Sequence, residues 1–104
     1  MQNKVKDFNN NKNCHRTPMP VYARILDIQS ELGELSKEYL KYSKYGTSDF
    51  ILEKDFELEF GDVLYSMLSL ANELNLDAHS CLDKALAKYQ NRINTNHTMG
   101  SNNQ

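Results

Sequence analysis

Residues Ile25–Tyr42 read ILDIQSELGELSKEYLKY, and the spacing within this stretch decides the fold class. Extended back to Val21, its apolar residues Val21, Ile25, Ile28, Leu32, Leu35 and Tyr39 recur at alternating steps of four and three. That period keeps one stripe of a helix on a core. Pro20 suits the first helical turn, and Gly46, following SKY, is a stop signal.

The same reading extends outward. A second helix is expected from Ser48 or Asp49, as N-cap, to about Asn75, with Phe56, Phe60, Val63, Met67, Leu70 and Leu74 as its buried stripe. Leu64, Leu68 and Ala71 make its second half apolar on more than one side, which calls for neighbours on two sides. A third helix follows Asp77 as N-cap and runs through AHSCLDKALAKYQNRI, with Leu82, Ala85, Leu86, Tyr89 and Ile93 on its apolar face. A short helix over Lys4–Asn11 is weakly signalled. No segment alternates with a period of two, so no sheet is expected. The expected class is all-α: a bundle of three to four helices, completed by homo-oligomerisation. Residues 1–17 form an N-terminal segment, 18–94 the helical domain, and 95–104 a disordered tail.

Composition bounds the function. A chain of 104 residues holds one small domain, and a domain of that size gains burial by self-association. Charged residues make up 25% of the chain and the formal net charge is −2. A dedicated nucleic-acid binder would carry a clear basic excess, so no nucleic-acid partner is expected. No stretch is long and apolar enough to span a bilayer, and MQNKVKDFNNNKNCHRTPMP lacks the apolar core of a secretory signal. Cys14 and Cys81 stand in no metal-type spacing. They are read as reduced thiols of a cytoplasmic protein with no membrane partner.

The acids carry the chemistry. At 100° per residue, Asp27, Glu31, Glu34 and Glu38 fall within about 60° of one another, beside the apolar stripe. On the next helix Asp55, Glu59 and Asp62 stand at i, i+4 and i+7. Like charges so spaced weaken an isolated helix by a few tenths of a kcal/mol per pair. Two consecutive helices tolerate this. Facing carboxylates stay ionised together when a cation sits between them, and hard oxygen donors suit Mg²⁺ or Mn²⁺. The segments ELGEL (Glu31–Leu35) and EFGDV (Glu59–Val63) share one form: acid, apolar, glycine, acid, apolar. Gly33 and Gly61 project away from the acids, either admitting another helix or subunit or simply tolerated. Without a cation, acidic stripes are ordinarily solvated faces.

The segment ILDIQSELGELSKEYLKY, followed by LEFGDVLYSMLSLANELNLDAHSCLDKALAKYQNRI, resembles the MazG-like all-α nucleoside triphosphate pyrophosphohydrolases from about Pro18 to Ile93. The family motif is ExxE on one helix and ExxD on the next, here Glu31-x-x-Glu34 and Glu59-x-x-Asp62. HRTPMP is similar to the proline-containing entry to the first metal-binding helix of some members. Ser30 departs from the pattern, because members often carry a further Glu there. The resemblance implies Mg²⁺-dependent hydrolysis of a nucleoside triphosphate to the monophosphate and pyrophosphate, in nucleotide-pool cleansing, with Glu31, Glu34, Glu59 and Asp62 as metal ligands. Metal ions neutralise phosphate oxygens and activate a bound water, and Glu38 is the candidate to accept that water's proton.

Other residues are weighed against ordinary roles. Lys84, Lys88 and Arg92 form a basic stripe, usually a solvated face; similarity to related proteins makes Lys84 and Lys88 candidate phosphate contacts across a subunit boundary. Asn72, an amide in an apolar stretch, either reads the base or sugar or fixes a helix–helix contact. Tyr39, Tyr42, Tyr45 and Tyr65 are read as packing, and Lys44 and Lys54 as exposed. The histidines show no Glu-x-x-His pattern of di-iron bundles. The competing readings are a non-catalytic helical module that binds an ion or basic partner, and a related hydrolase on the same scaffold acting on phosphoribosyl-ATP or dUTP.

Overall fold

A computed structural model describes residues 1–11, 19–96 and 100. Among these the chain is all-α, with four helices in the order α1 (Gln2–Asn10), α2 (Val21–Tyr42), α3 (Lys54–Glu73) and α4 (Ala78–Asn96). The weakly signalled N-terminal helix is real and starts two residues earlier than expected. The HRTP residues of the proposed entry to α2, with Cys14, lie outside the described residues.

Helix α2 begins after Pro20, whose carbonyl accepts from Arg24 N at 3.0 Å, and ends in a left-handed turn. Lys44, Tyr45 and Gly46 have φ of 52°, 59° and 83°, and only the glycine adopts this without steric cost. Buried Ser43 secures the turn, its Oγ accepting from Gly46 N at 3.1 Å and its carbonyl from Ser48 Oγ at 3.1 Å. The expected start of the next helix at Ser48 or Asp49 is corrected to Lys54. Residues 49–53 stay irregular because Phe50 inserts between helices, stacked on Tyr39 at 4.8 Å and edge-on to Phe56 at 4.9 Å. Helix α3 closes with Asn75 in the left-handed region (φ 56°) and Leu76 N donating to Ala71 O at 2.8 Å, a glycine-type C-cap made by asparagine. Asp77 caps α4 as read, its Oδ1 accepting from His79 N at 3.0 Å and Ser80 N at 3.3 Å.

Helices α2 and α3 run antiparallel: Arg24 near the start of α2 meets Glu73 at the end of α3, and Tyr39 near the end of α2 meets Phe50 just before α3. The expected burial of both apolar stripes is corrected. On α2 only Ile28 is buried, while Val21, Ile25, Leu32 and Tyr39 are exposed; on α3 Phe60, Met67 and Leu74 are exposed. The pair meets along the edge between apolar and acidic stripes, with Arg24 and Ser66 buried in the seam. In an antiparallel pair, both apolar stripes then rotate to the same side of the layer. Among the described residues nothing buries that side.

The second neighbour that α3 called for is α1. It lies along Gly61, Leu64, Tyr65 and Leu68 of α3, leaving an apolar groove of about 230 Å³ lined also by Met1, Lys4 and Val5. Polar groups fasten it. Gln2 Nε2 donates to Leu76 O at 2.6 Å and its Oε1 accepts from Ala78 N at 2.8 Å. Asn9 Nδ2 donates to Ser69 Oγ at 3.1 Å, and its Oδ1 accepts from Tyr65 Oη at 2.5 Å. Among the described residues, no atom beyond the local helix backbone and chain neighbours lies within 4 Å of a Cβ built on Gly33 or Gly61, so neither glycine is there to admit another of the described helices. Helix α4 has no buried residue, and Leu82, Leu86 and Ile93 are exposed. The radius of gyration, 17.1 Å, exceeds the ~13 Å of a compact domain of this length.

Candidate metal centre

The seam between α2 and α3 brings the two acidic faces together. Single carboxylate oxygens of Glu31, Glu59 and Asp62 all lie within 4.8 Å of one another, Glu31 reaching in from α2 and the other two from α3. The antiparallel register that pairs Tyr39 with Phe50 and Arg24 with Glu73 sets these acids opposite each other midway along the seam. Glu34 is exposed and outside this group, although its charge acts on both Glu31 and Glu59. Glu38 is half-buried, and its Oε2 is a buried oxygen that makes no hydrogen bond among the described residues.

The electrostatics follow from the crowding. Loss of water raises the Glu31 carboxyl above its ordinary 4.5, and the charges of Asp62, Asp27, Glu59 and Glu34 push it further. Glu59 is raised likewise, by desolvation first and then by Asp62, Glu34, Glu38 and Asp55. Asp55, the third acid of the α3 row, thus acts on the cluster through its charge. A divalent cation fits these donors. They are hard carboxylate oxygens from two helices, negative charge is in excess, and the orphaned Glu38 oxygen is an acceptor waiting for a donor.

The remaining sequence candidates lie elsewhere in the chain. Asn72 Nδ2 donates to Gln2 O at 3.3 Å, so it fastens α1 on the far flank of α3, the helix-contact reading. Lys84 and Lys88 are exposed on α4, with Lys88 Nζ 4.8 Å from the Tyr89 ring centre. His79 pairs with Asp83 at 3.4 Å on the same exposed helix, and Cys81 is a free, exposed thiol.

Sequence reasoning missed Arg24 and Glu73. Arg24 is 4% exposed; it donates through Nε and Nη2 to Glu73 Oε1 at 3.2 and 3.1 Å and faces Asp27 Oδ2 at 3.7 Å. The available signal was a cation three residues before the first acid of the stripe. Ser66, whose Oγ donates to Asp27 Oδ2 at 3.1 Å, was equally legible as a small residue in an otherwise apolar run.

These features define an all-α protein with an acidic site between two antiparallel helices. The chain is 33% identical over 85 residues to a Bacillus subtilis (strain 168) protein described as uncharacterized protein YpjD, covering 78% of this chain and 71% of the relative. The chain belongs to the family of that protein. No family model matches it, and no solved structure does. Among the described residues no helix is long and apolar enough to cross a membrane.

Proposed function

We propose that this chain is a MazG-like, Mg²⁺-dependent nucleoside triphosphate pyrophosphohydrolase, a cytoplasmic homo-oligomer that releases pyrophosphate and a nucleoside monophosphate. The observation that carries the reading is the convergence of Glu31, Glu59 and Asp62 from two helices within 4.8 Å. Glu31, Glu59 and Asp62 hold the cation, with Glu34 on the exposed rim as the fourth carboxylate. Bound there, Mg²⁺ or Mn²⁺ neutralises phosphate oxygens and lowers the pKa of a coordinated water. Glu38, with one buried oxygen lacking a hydrogen bond, accepts the proton of the attacking water. No side-chain nucleophile is needed.

Assembly belongs to the same reading. Among the described residues the apolar core is Ile28, Leu68 and Ala71, while Ile25, Leu32, Phe60 and Met67 of the α2–α3 layer are exposed. Soluble monomers rarely tolerate such a surface, and a second copy covering it forms a four-helix layer pair. Lys84 and Lys88, exposed on α4, then serve a partner's substrate phosphates. Pyrophosphate release from a panel of ribo- and deoxyribonucleoside triphosphates, phosphoribosyl-ATP and dUTP, each with Mg²⁺ and with chelator, tests the activity. Metal-dependent release from one class is the expected result; none across the panel sinks the reading and favours a non-catalytic module.

A further inference from the structure

The acid seam ends, toward the start of α2, in a charged network that the proposed chemistry leaves unused. Arg24, with its side chain 5% exposed, spends Nε and Nη2 on Glu73. Its third nitrogen, Nη1, is buried and makes no hydrogen bond among the described residues. It looks onto Asp27 Oδ2 at 3.7 Å, an ion-pair distance too long for a hydrogen bond. Asp27 does not close that gap because Ser66 Oγ holds the same Oδ2 at 3.1 Å. Both contacts fall on Oδ2, which leaves Oδ1 as an acceptor. Asp27 lies one helical turn before Glu31, and after Asp62 it is the carboxylate whose charge acts most on Glu31.

A clamp whose work is to fasten α2 to α3 is complete with Glu73. Leaving a buried guanidinium N–H unbonded is unfavourable, and a shift of Asp27 by under about 1 Å would relieve it. Instead Asp27 stays between an ion pair with Arg24 on its own helix and a hydrogen bond from Ser66 on α3, one helical turn before Glu31. We propose that Arg24 is a positioning residue for the cation site, fixing Asp27 beside Glu31 as an outer carboxylate that accepts a hydrogen bond from the cation's water. Outer partners of this kind orient the inner ligands and set affinity. The inference rests on the cation reading of Glu31, Glu59 and Asp62.

The test is calorimetric titration of the full chain with Mn²⁺ alone, for wild type, Asp27→Asn, Arg24→Met, the double variant and Glu31→Gln, with thermal midpoints in chelator. Asp27→Asn and Arg24→Met should each weaken Mn²⁺ binding about tenfold, and the double variant no more than Arg24→Met alone. Arg24→Lys should recover part of the loss. The sign is diagnostic: if Arg24 acted only through its charge, removing it would tighten cation binding. Tightening in Arg24→Met, additive losses, or wild-type affinity in Asp27→Asn overturns the proposal. Asp27→Asn leaves the Arg24–Glu73 clamp intact, so it reports even if Arg24→Met fails to fold. Absence of Mn²⁺ binding by the wild type removes the cation reading and this inference with it; binding lost in Glu31→Gln but kept in Asp27→Asn removes this inference alone.

Discussion

Toward α1, helix α3 presents Leu64, Tyr65, Leu68 and Asn72, and the polar groups there are matched in pairs: Asn9 with Tyr65 and Ser69, Asn72 and the Leu76–Ala78 turn with Gln2. Toward α2 it presents Glu59, Asp62, Ser66 and Glu73; Ser66 is matched with Asp27 and Glu73 with Arg24, but other groups of the seam are not matched. Glu31 and Glu59 are raised by like charge, and Glu38 Oε2 and Arg24 Nη1 are buried without hydrogen bonds. Ordinary folding satisfies buried polar groups, so the α1 flank reads as architecture. A flank with unsatisfied polar groups is where sequence and fold are expected to conflict at a functional site, and the contrast makes the α2 flank the candidate site of the proposed function.

The largest expected difference between the flanks is in activity. Asp62→Asn should lower Mg²⁺-dependent turnover by more than about 100-fold, since even outer partners of metal ligands cost 10–100-fold. In chelator its thermal midpoint should stay level or rise, because one charge leaves a repulsive cluster. Turnover near wild type, or a marked fall in the metal-free midpoint, would break the contrast.

Next comes the division between inner and outer apolar surface on α3. Leu68 is 7% exposed and lines the α1 groove, whereas its neighbour Met67 is 48% exposed. The apolar second half of α3 is therefore split, with Leu68 and Ala71 buried inside the chain and Met67 and Leu74 exposed for assembly. Met67→Glu should reduce the mass seen by light scattering to that of a 12.0 kDa chain. Leu68→Ala should leave the mass unchanged and cost about 2–3 kcal/mol, the low end for a core leucine because its groove is open. A wild-type protein that scatters as a monomer refutes the assembly.

A smaller effect is the pH response of the metal-free protein. Glu31 and Glu59 have folded-state values above the ordinary 4.5, so the folded chain binds more protons than the unfolded one just above that pH. Their contribution to stability is present below it and is lost as pH rises through the raised values. In chelator, the wild-type midpoint should fall relative to Glu59→Gln as pH rises above about 4.5. Saturating Mg²⁺ should narrow the difference. Parallel curves in chelator would show that the two carboxyls are not strained.

Much of this was legible in the sequence, for identifiable reasons. A period of 3.6 and an Asp N-cap are local signals, so the starts of α2 and α4 were placed within a residue, while α2 ends at Tyr42, before the expected stop at Gly46, and α4 runs past Ile93 to Asn96. Of the four acids expected to converge, Glu31, Glu59 and Asp62 meet, because two rows of acids at helical spacing need only one antiparallel contact, while Glu34 stays exposed outside the group. The start of α3 was not, because Phe50 is held by Tyr39 and Phe56 from outside its own segment. The rotation of α2 toward its acidic edge was hidden too. It depends on Arg24 finding Glu73, at the opposite end of the helix pair, and no periodicity encodes that pairing.

The smallest effect tests the quiet flank. Asn9 joins α1 to α3 twice, donating to Ser69 Oγ at 3.1 Å and accepting from Tyr65 Oη at 2.5 Å. Asn9→Ala removes both partners. Ser69, fully buried, retains a fallback in the carbonyl four residues back on its own helix, and Tyr65 is only half-buried. The net cost should be about 1 kcal/mol, the size of an ordinary hydrogen-bond contribution rather than of a stranded buried group. Turnover with Mg²⁺ and Mn²⁺ affinity should stay at wild-type values, because the residues of α3 that meet α1 and the acids of α3 centre on different faces, about 120° apart at 100° per residue. Denaturant titration of the Asn9→Ala chain gives the first quantity and calorimetry the second. A loss of cation affinity in this variant would show that α1 sets the position of α3 against α2, and that the two flanks are one mechanical unit.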